Sequence, residues 1–116
     1  MGRKDSDPTP RMTQATLAVL RAFSKKPGEE MYGLQICAEA GLPSGTIHPI
    51  LARLEGAGWL ESFWENIDPV SEGRPRRRYY RLSPAGAARS RNALARADAE
   101  REALRLRLGG LPGGAS

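Results

Sequence analysis

The segment "GLPSGTIHPILARLEGAG" constrains the chain more than any other. Ile47, Ile50, Leu51 and Leu54 fall at i, i+3, i+4 and i+7, which is one apolar face of a helix. Gly56 and Gly58 close that helix. A glycine stop at Gly41 stands only a few residues before its start, so a second helix must end almost where this one begins. Two short amphipathic helices joined by so tight a turn predict a helix-turn-helix.

The flanking periodicities complete the pattern. "TQATLAVLRAFSKKPG" predicts a helix from Thr13, with Leu17, Val19, Leu20 and Phe23 inward and Pro27-Gly28 as its end. "EEMYGLQICAEAGL" predicts a second, short helix with Met31, Leu34, Cys37 and Ala38 as its inner stripe. Gly33 near its start costs a helix about 1 kcal/mol against alanine, which predicts close approach to another backbone. After the third helix, "WLESFWEN" and "RRRYYRL" read as antiparallel strands joined by a long polar loop, residues 67–75. In the second strand Tyr80 and Leu82 are expected inward, with Tyr79, Arg77 and Arg81 on the other face. Ser83 and Pro84 then open a long helix rich in Ala, Arg, Glu and Leu.

Helix, helix, helix, strand, loop, strand, helix is the layout of a winged helix-turn-helix. The expected fold class is α+β and mostly helical, with an added C-terminal dimerisation helix. The expected organisation is a flexible N-terminal arm (1–11), the winged domain (12–83), the dimerisation helix (84–108) and a flexible tail (109–116).

Charge points to the partner. The net charge is +5, and five arginines fall between Arg74 and Arg81. In a winged helix that cluster lies beside the third helix, where guanidinium groups neutralise phosphates and release counterions. Duplex DNA is the expected partner, read through a recognition helix (44–57) and an arginine-rich wing (67–78). A helix start meets base edges first. Ser44, Gly45, Thr46, His48, Pro49 and Arg53 are therefore the candidate recognition residues, with Ser44 also the expected N-cap. Arg74, Arg76, Arg77 and Arg78 are the candidate wing contacts, Arg74 and Arg76 foremost. Alternatively, Arg78 and Arg81 pair with Glu61 or Glu65 across the ladder. Pro49 requires either that the helix begin later, near Thr46, or that its first turn be distorted.

Other chemistries find little support. Cys37 is the one cysteine and His48 the one histidine, too few for a zinc site. Cys37 lies among apolar neighbours and reads as a buried small residue of a protein in the reducing cytoplasm. No carboxylate pair or phosphate-cradling loop suggests an enzyme. The expectation is no cofactor, no metal and no membrane span, since no apolar run nears the ~18 residues a span needs. The N-terminal residues lack the apolar core of a secretory signal. In the last helix Leu94, Ala97, Arg101, Leu104, Leu108 and Leu111 follow an alternating 3,4 spacing, a heptad-like seam. Leu94, Ala97, Leu104 and Leu108 are the expected homodimer contacts. The competing function is a winged module whose arginine face docks an acidic protein.

The two blocks "GTIHPILARLEGAGWLES" and "GRPRRRYYRLSPAG" closely resemble the PadR-like family of transcriptional regulators. That family shows a Gly-Thr-Leu-Tyr-Pro recognition-helix start, matched by Gly45, Thr46, Ile47, His48 and Pro49, with His48 in place of the usual tyrosine. Its wing pattern is matched by Arg74, Arg78, Tyr79, Tyr80, Leu82, Ser83 and Gly86. The resemblance implies a cytoplasmic, homodimeric DNA-binding repressor that pairs through its C-terminal helix. It also implies that some relatives take phenolic or hydrophobic ligands at the dimer interface; for this chain the effector is unassigned.

Overall fold

The computed structural model describes residues 9–109. Its elements are α1 (Gln14–Ser24), β1 (Met31–Tyr32), α2 (Gly33–Ala40), α3 (Ser44–Gly56), β2 (Leu60–Trp64), α4 (Pro69–Glu72), β3 (Arg78–Leu82) and α5 (Pro84–Gly109). This is a mostly helical α+β fold, a winged helix-turn-helix with a long last helix. The proposed arm lies outside the described residues up to residue 8. The proposed tail does too, apart from Gly109, which ends α5; Leu111 of the seam lies outside as well.

The core forms where the apolar stripes meet. Val19, Leu20 and Phe23 of α1 and Ile47, Ile50, Leu51 and Leu54 of α3 are all buried, against Ile36 of α2 and Trp59 and Leu60 beyond α3. The Thr13 hydroxyl starts α1 by accepting the Thr16 N–H at 3.1 Å. Each buried Leu or Ile contributes about 1.5–3 kcal/mol. Four of them on α3 outweigh the ~3 kcal/mol that an internal proline costs, so α3 continues through Pro49.

Three local expectations are corrected. The 29–42 segment is not one helix. Met31 and Tyr32 form β1 and pair with Tyr80 and Tyr79 of β3. The Tyr32 backbone is extended and its N–H is taken by the Gln35 side chain at 3.0 Å, so α2 starts at Gly33. The inner stripe of α2 shifts accordingly: Ile36 is fully buried, Cys37 and Ala40 pack beside it, and Leu34 is 72% exposed. Second, Ser44 is the first residue of α3 rather than its cap. Pro43 holds the cap position, and its carbonyl accepts the N–H groups of both Thr46 and Ile47 at 3.0 Å. Pro49 has no N–H to offer the Gly45 carbonyl, which leaves that acceptor free of its i+4 bond. Third, the wing loop contains the short helix α4. Asp68 caps it through the Val70 N–H at 3.1 Å, and Gly73, at φ +70°, closes it.

The sheet order is β1-β3-β2, all antiparallel. Leu60, Ser62 and Trp64 oppose Leu82, Tyr80 and Arg78 on the inner face, while Glu61 and Phe63 oppose Arg81 and Tyr79 on the outer. Tyr80 and Leu82 are buried as expected. The root of α5 is bonded to the end of α3. The Ser83 hydroxyl donates to the Gly58 carbonyl at 2.7 Å and accepts the Gly86 N–H at 2.9 Å, and the Ser83 N–H donates to the Trp59 carbonyl at 2.9 Å. Further along, Asp98 pairs with Arg21 of α1 at 3.1 Å.

Candidate nucleic-acid interface

The start of α3 is open to solvent. Ser44, Gly45, His48, Pro49 and Arg53 are exposed and Thr46 is half-buried. At 100° per residue these side chains divide into two edges. Ser44 and His48 lie on one. Thr46 and Arg53 lie on the other, where Arg53 lines a shallow depression with Pro10. Between them Gly45, Pro49 and Ala52 form a ridge of small residues that a groove floor can approach closely. Gly33 packs not on a backbone, as expected, but on an imidazole: a Cβ there would stand 3.5 Å from His48 Cε1.

The wing arginines differ in their partners. Arg74, expected at the exposed tip, is turned back onto Glu65: its two terminal nitrogens donate to the two carboxylate oxygens at 2.8 Å each. Glu65 Oε1 also accepts the Arg77 backbone N–H at 3.1 Å. Chiefly through the Arg74 hydrogen bonds, the Glu65 carboxyl is held at about 2, against an ordinary 4.5. Arg81 pairs with Glu61 at 3.1 Å. Arg78 does not reach Glu61 or Glu65. It donates to Ser62 Oγ at 2.7 Å and lies 3.5 Å from Glu55 on the last turn of α3. Ser62 also donates to Glu55, which closes a three-residue link between the wing and α3. Arg76 donates through Nε to the Ile67 carbonyl at 3.0 Å, and the Arg77 guanidinium lies 4.3 Å over the Tyr32 ring. Among the described residues, neither Arg76 nor Arg77 forms an ion pair with a carboxylate, although the Arg77 charge helps to lower the Glu65 carboxyl. These two keep their charge available to an outside anion.

One groove of about 450 Å³ joins the helix start to the wing. Ser44 and His48 form one wall, and Trp64, Arg77 and Arg78 the other. Leu34 and Trp64 also line it, two residues that sequence reasoning did not assign to the site. A signal for Trp64 was present. It shares the inward parity of Leu60 but comes at the far end of β2, where the core has run out. Leu34 gave no such signal, because its outward rotation follows from the late start of α2.

The last helix offers a second surface. A cleft of about 400 Å³ between α1 and α5 is lined by Met12, Leu17, Ala97, Arg101 and Leu104. Leu94 is half-buried against the protein's own core, while Leu104 and Leu108 stand exposed. Among the described residues no cluster of His, Cys, Asp or Glu is arranged to hold a metal, and no helix is long and apolar enough to cross a membrane.

Comparison with known proteins identifies the family and the fold. Residues 19–92 match the family described as Transcriptional regulator PadR-like family. No curated protein matches the sequence. Among solved structures, a Streptococcus mutans protein superposes with a TM-score of 0.69 at 22% identity, covering 88% of this chain and 95% of its own. A PadR family transcription regulator from Clostridium difficile gives 0.68 at 20% identity, covering 84% and 100% respectively. A PadR-like transcriptional regulator from Bacillus cereus gives 0.66 at 19%, covering 83% and 92%. At these identities the superpositions establish a shared fold.

Proposed function

The chain belongs to the PadR-like family of transcriptional regulators, and from that premise we propose that it is a homodimeric repressor reading an inverted-repeat operator in duplex DNA. The observation that carries this reading is the shared groove: the start of α3 and Arg77, which forms no ion pair among the described residues, face one space. A helix start there enters the major groove, and its exposed N–H groups favour a neighbouring phosphate. Thr46, His48 and Arg53 supply hydrogen-bonding groups to base edges, while Gly45 and Pro49 permit close approach. Arg76 and Arg77 neutralise phosphates beside the helix. Arg74 and Arg78 hold the wing in shape and anchor it to α3.

Dimerisation places a second copy of α3 beside the first. The exposed Leu104 and Leu108, with Ala97 in the α1–α5 cleft, supply the apolar surface. Leu94 braces the helix from inside. A C₂ dimer sets its recognition helices one DNA turn, about 34 Å, apart, which is why the operator is an inverted repeat. The protein acts in the cytoplasm, where Cys37 remains a thiol.

Selection of bound fragments from random duplex DNA tests the reading. A palindromic motif with a log K that falls steeply with log salt is expected. A selection that returns no motif, or a flat salt response, overturns it and favours an acidic protein as the partner of the arginine face.

A further inference from the structure

Two large apolar side chains stand in solvent on the face that carries the wing arginines. Trp64, the last residue of β2, is 58% exposed, and Leu34, the second residue of α2, is 72% exposed. Both line the groove that also holds His48, Arg77 and Arg78. The Arg78 guanidinium lies 5.2 Å from the Trp64 ring centre and steadies the indole. Phosphate contact alone would need only the arginines. Apolar surface set between cations matches a sugar-phosphate strand, where each anionic phosphate is flanked by the C–H edges of deoxyribose.

We propose that Leu34 and Trp64 form a backbone clamp: one strand of the duplex enters the groove, its phosphate meets Arg77, and its deoxyribose packs on the Trp64 indole and on Leu34. The clamp deepens the DNA-binding reading above and rests on it. It adds affinity and fixes the register of α3 on the duplex, but carries no base information.

The two kinds of contact separate in their salt response. Apolar packing releases no counterions, whereas each phosphate contact adds about 0.9 to the slope of log K against log salt. Trp64→Ala is therefore expected to weaken binding to all duplexes by roughly tenfold, with the slope unchanged. Trp64→Phe retains most of that affinity, and Arg77→Ala lowers the slope instead. A direct readout is available because the chain has two tryptophans. Trp59 is buried and, among the described residues, its indole N–H has no hydrogen-bond partner, so Trp59→Phe removes no described hydrogen bond and leaves Trp64 as the sole indole. On titration with the selected duplex, the emission of that variant should change and saturate together with the fluorescence anisotropy of labelled DNA. An unchanged emission while anisotropy reports binding overturns the clamp and leaves the DNA-binding reading standing. Absence of any duplex binding overturns both. An equal emission change with inorganic phosphate alone marks a small-anion pocket and also overturns the clamp.

Discussion

Arg74 and Glu65 meet end-on, two N–H donors against two carboxylate oxygens at 2.8 Å each, and so close the neck of the wing. The same carboxylate holds the Arg77 N–H, and the Glu65 N–H donates to the Arg77 carbonyl at 2.8 Å. One acidic side chain thus sets where the adjoining arginines point. A bidentate pair of this kind gains specificity from the rigid guanidinium fork, which lysine would not reproduce.

The pair gives a pH signature. The folded Glu65 carboxyl sits near 2, below its ordinary 4.5. A carboxyl lowered on folding stabilises the fold above its unfolded value, and that contribution is lost as pH falls through the folded value. The wild-type melting temperature is expected to fall between about pH 4.5 and 2 by more than that of Glu65→Gln, followed by circular dichroism. Equal slopes in that window would show that the pair contributes nothing to folding.

The wing arginines should separate in salt titrations. Arg76→Ala and Arg77→Ala each remove a cation that is in no ion pair and are expected to lower the slope by about 0.9. Arg74→Ala should alter the slope less, because its charge is already matched by Glu65. It should lower the melting temperature of the free protein instead. Fluorescence anisotropy at several salt concentrations measures the first effect, and thermal unfolding the second.

Base preference should belong to α3. Thr46→Ala, His48→Ala and Arg53→Ala are each expected to change the motif recovered by random-site selection, with losses of about 1–3 kcal/mol at the affected position. A variant that weakened every sequence equally would move that residue from reading to positioning.

Gly86 tolerates no side chain. A Cβ there would lie 1.9 Å from the Trp59 carbonyl oxygen, which belongs to the backbone and cannot swing aside. Gly86→Ala must displace α5 from the end of α3, at a cost of about 1–3 kcal/mol or more. The urea midpoint should fall accordingly, and, if α5 forms the proposed dimer contact, operator binding should fall further than stability alone explains.

Dimerisation should depend on the exposed end of the seam. Leu104→Glu with Leu108→Glu introduces like charges on the proposed dimer face. It is expected to give a monomer in analytical ultracentrifugation, with little loss of monomer stability since both residues are exposed. Affinity for an inverted repeat should collapse toward that for a half-site. A double variant that stayed dimeric would place the interface elsewhere.

Much of this protein was legible from local pattern. The stripe Ile47, Ile50, Leu51 and Leu54 declared both α3 and its buried side, since helical geometry alone puts those residues on one face. Tyr80 and Leu82 declared the inner face of β3 by parity. Ser83, Pro84 and the alanine-rich run declared α5. Such features depend on neighbours within one or two turns of chain, and the chain carries them in its order of residues.

Other features were settled only by contacts between distant segments. β1 is two residues long and exists because Met31 and Tyr32 find β3 across the molecule, below the reach of any periodicity. That pairing delays α2, turns Leu34 outward and completes the groove. The five arginines between Arg74 and Arg81 are chemically alike in the sequence. Folding divided them, because whether a guanidinium is spent or free depends on which carboxylate lies within about 4 Å: Glu65 for Arg74, Glu55 for Arg78, Glu61 for Arg81. Sequence order determined that the charge would gather on one hairpin; tertiary distance decided which of it remained available to DNA.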